Sequence, residues 1–446
     1  MQPIAAVMSF NPPRRLYAVL LPPLLALPGA AAAAAPAVNK GDTAWMLTAT
    51  LLVLMMILPG LALFYGGLVR AKNMLSVMTQ VGGAAALAMI AWVLWGYSEA
   101  FGEGGNAFVG GFGKLLLRGV GVATTAPTPT AGVAIPEYVF VCFQMSFAAI
   151  TVALVLGAVV ERIRFAAVLV FALVWLTLVY FPVAHMVWAA DGAFATRGAL
   201  DFAGGTVVHV NSGVSALVAC LVLGKRLGYP REAMPPHSLP LTGIGTGLLW
   251  VGWFGFNAGS ALEANAVAAL AMLNTFVAAA AAGLAWMAAE RLAGHKGSAL
   301  GFCSGIVAGL VAVTPAAGYS GPAGAMALGA AASLLCFYAV ARLKPRLGYD
   351  DALDTFGIHG VGGIVGALGT ALVNAAALGG VGSGGRSVAG QLLVQAGMVA
   401  ATAAWAVVGT LVSLAVARAL TGLRVGRDAE REGLDLAEHG ERAYNL

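Results

Sequence analysis

Asp201-Phe-Ala-Gly-Gly-Thr-Val-Val-His209-Val-Asn-Ser-Gly213 continues without another charged residue to Leu223, which places an ionisable histidine inside a helix-length apolar run. A second stretch, Thr355-Phe-Gly-Ile-His359-Gly-Val-Gly-Gly363, does the same further along the chain. An ionisable group is expensive to keep inside a bilayer, so by default it marks a path or a site. A pair of core histidines satisfied by backbone carbonyls is the alternative. Two such histidines in matching places of the two halves of the chain favour the path.

The rest of the composition supplies the bilayer. Of 446 residues, 60% are hydrophobic and 10% charged, too little charge for a soluble protein of this length. Apolar runs of about 20 residues mean membrane spans. Eleven are expected, at 43–69, 75–97, 138–160, 165–188, 206–223, 241–257, 264–288, 298–317, 323–341, 356–378 and 392–417. The 60 glycines suit close helix approach in a membrane. A net charge of +5 gives no reason to expect nucleic acid. Cys142, Cys220, Cys303 and Cys336 lie singly inside spans, which fits neither a metal cluster nor a disulfide framework. No metal and no cofactor is expected.

Residues 1–36 read as a signal peptide. Arg14 and Arg15 precede the apolar stretch Leu16 to Leu27, and an alanine run ends at Ala35-Pro36-Ala37. A membrane domain over 37–418 and a cytoplasmic tail over 419–446 complete the organisation. The loops after spans 1, 3, 5, 7 and 9 hold twelve Lys or Arg, from Arg70 to Arg346, against five on the other side. That bias puts the twelve in the cytoplasm, with the N-terminus outside and the C-terminus inside. Residues 102–136 form a long outer loop. The tail is either a solvated end or a docking element.

Spans 1–5 and 6–10 make two sets of five. Because five is odd, the second set enters from the opposite side, which is the inverted-repeat arrangement with a path between the halves. Span 5 follows Asp201-Phe-Ala-Gly-Gly205 and span 10 follows Asp354-Thr-Phe-Gly357, and this pairing places each histidine. One difficulty follows. Helices that begin at opposite membrane faces would leave the histidines on the order of 15 Å apart at 1.5 Å per residue. They meet only if both helices begin deep, under protein-covered turns.

Several stretches resemble the ammonium transporter family (Amt/Mep/Rh), most closely its bacterial branch. They are Pro59-Gly-Leu-Ala-Leu-Phe-Tyr-Gly-Gly-Leu-Val-Arg70, Glu161-Arg-Ile-Arg164, the run from Asp201 to His209, Gly252-Trp-Phe-Gly-Phe-Asn-Ala-Gly-Ser260, Val313-Thr-Pro-Ala316, Phe356-Gly-Ile-His-Gly360 and Glu432-Gly-Leu-Asp435. The resemblance runs from about Asp42 to Tyr444 and leaves out the leader and residues 119–132. It implies an eleven-helix all-α membrane protein, trimeric, with one pore through each protomer and the two histidines adjacent at mid-membrane. It further implies an outer substrate site of Trp188, Phe147 and Ser260, a gate of stacked Phe147 and Phe256, and pore histidines His209 and His359. Asp201 would support the outer site without touching the substrate. A PII-type nitrogen signal protein would dock on the cytoplasmic face of the inner membrane protein, where Arg70, Lys72, Arg162 and Arg164 are candidate contacts.

The residue types carry that chemistry. Trp188 offers a ring face to ammonium, worth roughly 0.5–2 kcal/mol, although it also reads as an interfacial belt residue. Ser260 accepts a hydrogen bond from NH4+ or caps a helix. Phe147 and Phe256 also fit an ordinary core, Asp201 also fits a simple helix cap, and His185 reads as structural. The expected function is an ammonium transporter, not an enzyme, that conducts ammonia with or without the proton. An ammonium sensor on the same fold is the second reading, and an intramembrane metalloenzyme on the histidines a third. The sensor is disfavoured because only Arg418 to Leu446 follows the last span, and zinc needs three or four ligands that the histidines alone do not supply.

Overall fold

The structure is a computed structural model that describes residues 37–444, so the leader assigned to residues 1–36 lies outside the described residues. The eleven expected spans are present as helices. They are α1 Lys40–Leu68, α2 Ala71–Phe101, α3 Glu137–Leu156, α4 Phe165–Trp188, α5 Gly205–Leu223 and α6 Leu239–Gly259, then α7 Ala266–Leu292, α8 Ala299–Ala316, α9 Pro322–Leu347, α10 Phe356–Val373 and α11 Val388–Thr421. Local chemistry starts and stops them. Side chains of Asn39, Ser238, Asn265, Ser298 and Ser387 accept from the free N–H groups at the starts of α1, α6, α7, α8 and α11. Gly348 ends α9 in the left-handed conformation that favours glycine. Pro59 cannot donate within α1, and the chain widens there into a π turn over Met56–Leu61.

Some boundaries differ from the hydropathy reading for a physical reason. Apolarity persists to Val160 and Leu378, but α3 stops at Leu156 and α10 at Val373. After α3 the apolar residues 157–160 continue as buried turn, while after α10 the chain tightens into an exposed 3-10 turn over Ala376–Leu378, which hydropathy does not distinguish from a span. The segment before α1 and the loop over 102–136 hold a sheet that the sequence reading missed. Strands β1 Ala37–Val38, β2 Thr125–Pro127 and β3 Val133–Pro136 form a small sheet in the order β1-β3-β2, with β1 parallel and β2 antiparallel to β3. Strands of two to four residues are too short to show alternation.

At the opposite end of the bundle the tail is docked rather than solvated. Its helices, α12 Arg427–Glu432 and α13 Leu434–His439, lie against the loops after α1, α3 and α5. Asn73 Oδ1 accepts from Leu434 N at 2.9 Å, and Asp435 Oδ1 accepts from Ser76 N at 2.7 Å. Lys72 donates to the carbonyls of Glu430 and Arg431.

Beneath the tail, Glu161 gathers Arg70 at 3.0 Å and Arg226 at 2.9 Å, and Arg226 reaches Asp350 at 2.8 Å. Arg162 is fully buried and donates only to carbonyls, among them Asp350 at 2.7 Å and Gly224 at 2.9 Å. Of the four candidate docking residues, Arg162 is walled in by the fold and Lys72 is engaged by the tail, while Arg164 stays exposed and Arg70 partly so.

Burial works to raise the Glu161 carboxyl, but Arg226 and Arg70 overcome it and hold it below the ordinary carboxylate range. A depressed carboxyl adds stability that is present above its unfolded pKa and lost as pH falls through the folded value. Glu161→Ala strands the Arg70 guanidinium, leaves Arg226 to Asp350 alone, and is expected to cost about 3–5 kcal/mol near neutral pH. Its penalty should shrink on acidification below about pH 4. Thermal unfolding in detergent at pH 7 and pH 3.5 checks both statements.

Candidate functional site

The helix starts hold the two histidines. Ahead of α5, the Asp201 carboxylate accepts four backbone N–H groups, from Gly204 (3.0 Å), Gly205 (2.5 Å), Thr206 (2.9 Å) and Val207 (3.1 Å). Ahead of α10, the Asp351 carboxylate accepts from Thr355 at 3.0 Å and Phe356 at 2.7 Å. Each carboxylate stands eight residues before its histidine. Asp354, which the sequence comparison paired with the Asp201 turn, instead matches Gly204. Both stand five residues before a histidine with left-handed backbone, φ 59° and 110°, and Asp354 pairs with Lys344. Buried caps let both helices start inside the protein.

That settles the depth difficulty. His209 and His359 meet with Nδ1 atoms 3.2 Å apart and rings tilted by 25°. Backbones touch where α5 crosses α10, and a Cβ on Gly213 would stand 2.2 Å from the Gly360 nitrogen. Gly213→Ala therefore has to separate the helices. It should lower the unfolding temperature by several degrees, as overpacking of about 1–3 kcal/mol implies, and an unchanged melting curve would refute the contact.

A contact between two Nδ1 atoms needs one donor and one acceptor. A neutral pair therefore presents one Nε2–H and one bare Nε2. His209 Nε2 has no hydrogen-bond partner among the described residues. Its ring lies parallel to Trp253, with centroids 5.5 Å apart at 27°. Trp253 went unnoticed in the sequence although it sits inside Gly252-Trp-Phe-Gly-Phe-Asn257.

Above the histidines, on the sheet side, Phe147 of α3 and Phe256 of α6 stack with centroids 4.2 Å apart and 22° between planes. Both are fully buried. Trp188, the last residue of α4, meets Phe147 edge-on at 5.8 Å. Its Nε1 donates to the Asp201 carbonyl at 3.0 Å, so one residue caps α5 and holds the tryptophan. Burial pushes the Asp201 carboxyl up to about 6 against its four N–H bonds. Ser260 Oγ donates to the Phe256 carbonyl at 2.8 Å, which keeps its lone pairs free to accept. Trp188, Phe147 and Ser260 line one cavity of about 620 Å³. His185 stands apart, with its ring nitrogens on the carbonyls of Ala100 (2.9 Å) and Asn106 (2.8 Å), a structural clasp.

Below the phenylalanines the space shrinks to about 10 Å³, bounded by His209, His359, Trp253, Phe256 and aliphatic side chains. That is about the room of one water-sized probe. His359 also faces a tail-side cavity of about 480 Å³. The arrangement is two wide cavities on either side of a narrow, mostly apolar space in which the two imidazoles are the polar groups not already engaged by the surrounding helices. It suits a small neutral solute and excludes a hydrated ion.

The family model described as Ammonium Transporter Family matches residues 44–444. An ammonium transporter of Aquifex aeolicus is 46% identical over 92% of this chain and 94% of that protein. The crystal structure of Candida albicans Mep2 superposes with a TM-score of 0.79 at 37% identity, over 91% of this chain and 90% of that one. A solved Sensor Amt Protein superposes with a TM-score of 0.81 at 28% identity, over 90% and 98%.

Proposed function

The chain belongs to the ammonium transporter family, and from that premise we propose that it recruits NH4+ from outside, removes a proton and passes NH3 to the cytoplasm. Trp188 binds the cation by a ring face and Ser260 by an accepting hydroxyl, with Phe147 completing the site beside them. Phe147 and Phe256 are the gate. His209 and His359 line the path and relay the proton, and Asp201 supports the outer site through Trp188 and the start of α5. In this reading the sheet side faces outward and the tail side faces the cytoplasm of a bacterial cell, across its inner membrane. Three protomers assemble, each with its own path, and a PII-type signal protein blocks the tail side.

The observation that carries the reading is the narrow, mostly apolar neck of about 10 Å³ between the two cavities. Taking a bare ion into low dielectric costs tens of kcal/mol in the Born limit, and a cation–π contact of roughly 0.5–2 kcal/mol does not offset that. Losing a proton at neutral pH costs an amine of pKa roughly 8–10 only about 1.4–4.1 kcal/mol, at 1.36 kcal/mol per unit. Potassium and sodium have no proton to lose. Reconstituted protein should therefore carry ammonium saturably while K+ flux stays at the level of empty vesicles. Comparable K+ flux would overturn the reading, and current under an ammonium gradient reports whether the proton follows.

A further inference from the structure

Lys114 stands in the sheet-side cavity with its ammonium 5.5 Å from the centre of the Tyr97 ring and ion-paired with Glu137. Tyr97 donates to the same carboxylate, Glu137 Oε1, at 2.8 Å. Tyr97, Phe101 and Phe140 pack against one another with centroids 5.1–6.4 Å apart. All five residues line the cavity that also holds Trp188 and Ser260. Aromatic faces beside a nearly buried carboxylate are the chemistry of a cage for an alkylammonium ion, and the lysine head is a primary alkylammonium on a tether.

The tether is built to let go. Lys114 lies in Phe112–Leu117, which contributes no buried residue and runs through left-handed backbone at Leu116 and Leu117, φ 55° and 53°. Its side chain is 30% exposed, against 6% for Glu137. When the lysine leaves, Glu137 is a nearly buried carboxylate without a cation, so a small cation replaces it more readily than water does. Glu103 and Asp191 line the same cavity and bias it toward positive charge.

We propose that Tyr97, Phe101, Phe140 and Glu137 form a second cation station, upstream of Trp188, which ammonium or a small primary alkylammonium occupies by displacing Lys114. The inference rests on reading this cavity as the entrance for a cationic substrate. Lys114 then acts as a built-in competitor that sets how much outside cation fills the vestibule.

Two measurements on the full chain test it, with methylammonium as the probe. In wild-type protein, saturating methylammonium, compared with sodium at equal ionic strength, should raise acetylation of Lys114 relative to exposed Lys40 several-fold, read by peptide mass spectrometry. An unchanged or reduced ratio overturns the station. In vesicles, Lys114→Gln should lower the half-saturating methylammonium concentration roughly three- to tenfold, and adding Glu137→Gln should remove the gain. An unchanged or raised value in Lys114→Gln also overturns it. If wild-type protein shows no uptake yet the acetylation ratio responds, the transport reading fails and the station stands. Normal uptake with an unresponsive ratio is the reverse.

Discussion

His359→Ala and His209→Ala should each cut ammonium-driven charge movement in reconstituted vesicles by at least about fivefold. The neck of about 10 Å³ is lined by aliphatic and aromatic side chains, and Trp253, the other residue there with a polar side-chain atom, already donates to Thr314 at 2.9 Å. A neutral amine passing through finds hydrogen-bond partners in the imidazoles. Leaving a polar group unpaired costs about 1–3 kcal/mol, which is roughly fivefold to more than a hundredfold in rate at 1.36 kcal/mol per decade. A relay needs both rings in contact, so loss of either should interrupt it. His359 also borders the tail-side cavity of about 480 Å³, and an alanine there lets water advance into the neck. K+ exclusion should therefore weaken in His359→Ala more than in His209→Ala. Wild-type currents with intact K+ exclusion in both variants would end the relay reading.

Asp201→Ala should be the most damaging single change to the fold. It withdraws the acceptor from four N–H groups at a helix start buried inside the protein. A lost cap costs about 0.5–2 kcal/mol where water can replace it. Here each orphaned donor costs about 1–3 kcal/mol, so the total is expected to reach about 5 kcal/mol or more. The same change loosens the backbone carbonyl that holds Trp188 and the turn that aims His209, so uptake should vanish with stability. Asp201→Asn keeps one accepting oxygen and should fall between wild type and Asp201→Ala. Melting in detergent and ammonium uptake read the series, and an alanine variant that melts and transports like wild type would show that the carboxylate is dispensable.

Much of this molecule was legible before any coordinates. Eleven apolar runs separated by charge-biased loops leave a bilayer as the only solvent that suits them, and helices as the elements that satisfy their backbones there. The two histidines were legible as candidates as well, because an ionisable residue in an apolar run stands out against its neighbours, whereas Trp188, Phe147 and Ser260 entered only through the family resemblance. The docked tail was legible only as an alternative, since a charged segment reads the same whether water or another loop satisfies it.

What residue order could not supply is depth and partnership. Nothing along the chain says that α5 and α10 begin inside the protein, because that depends on Asp201 and Asp351 finding buried N–H groups to cap. It was also silent on the identity of Asp351, eight residues before His359, as the counterpart of Asp201. Asp354 is closer in sequence and looked like the match until the backbone placed it where Gly204 stands. The 3.2 Å meeting of the imidazoles, Trp253 beside them and Lys114 over Tyr97 all join residues far apart in the chain. Hydrophobicity and charge are properties of single residues and survive in a linear text. Contact between distant side chains arises only when packing selects one arrangement of the helices.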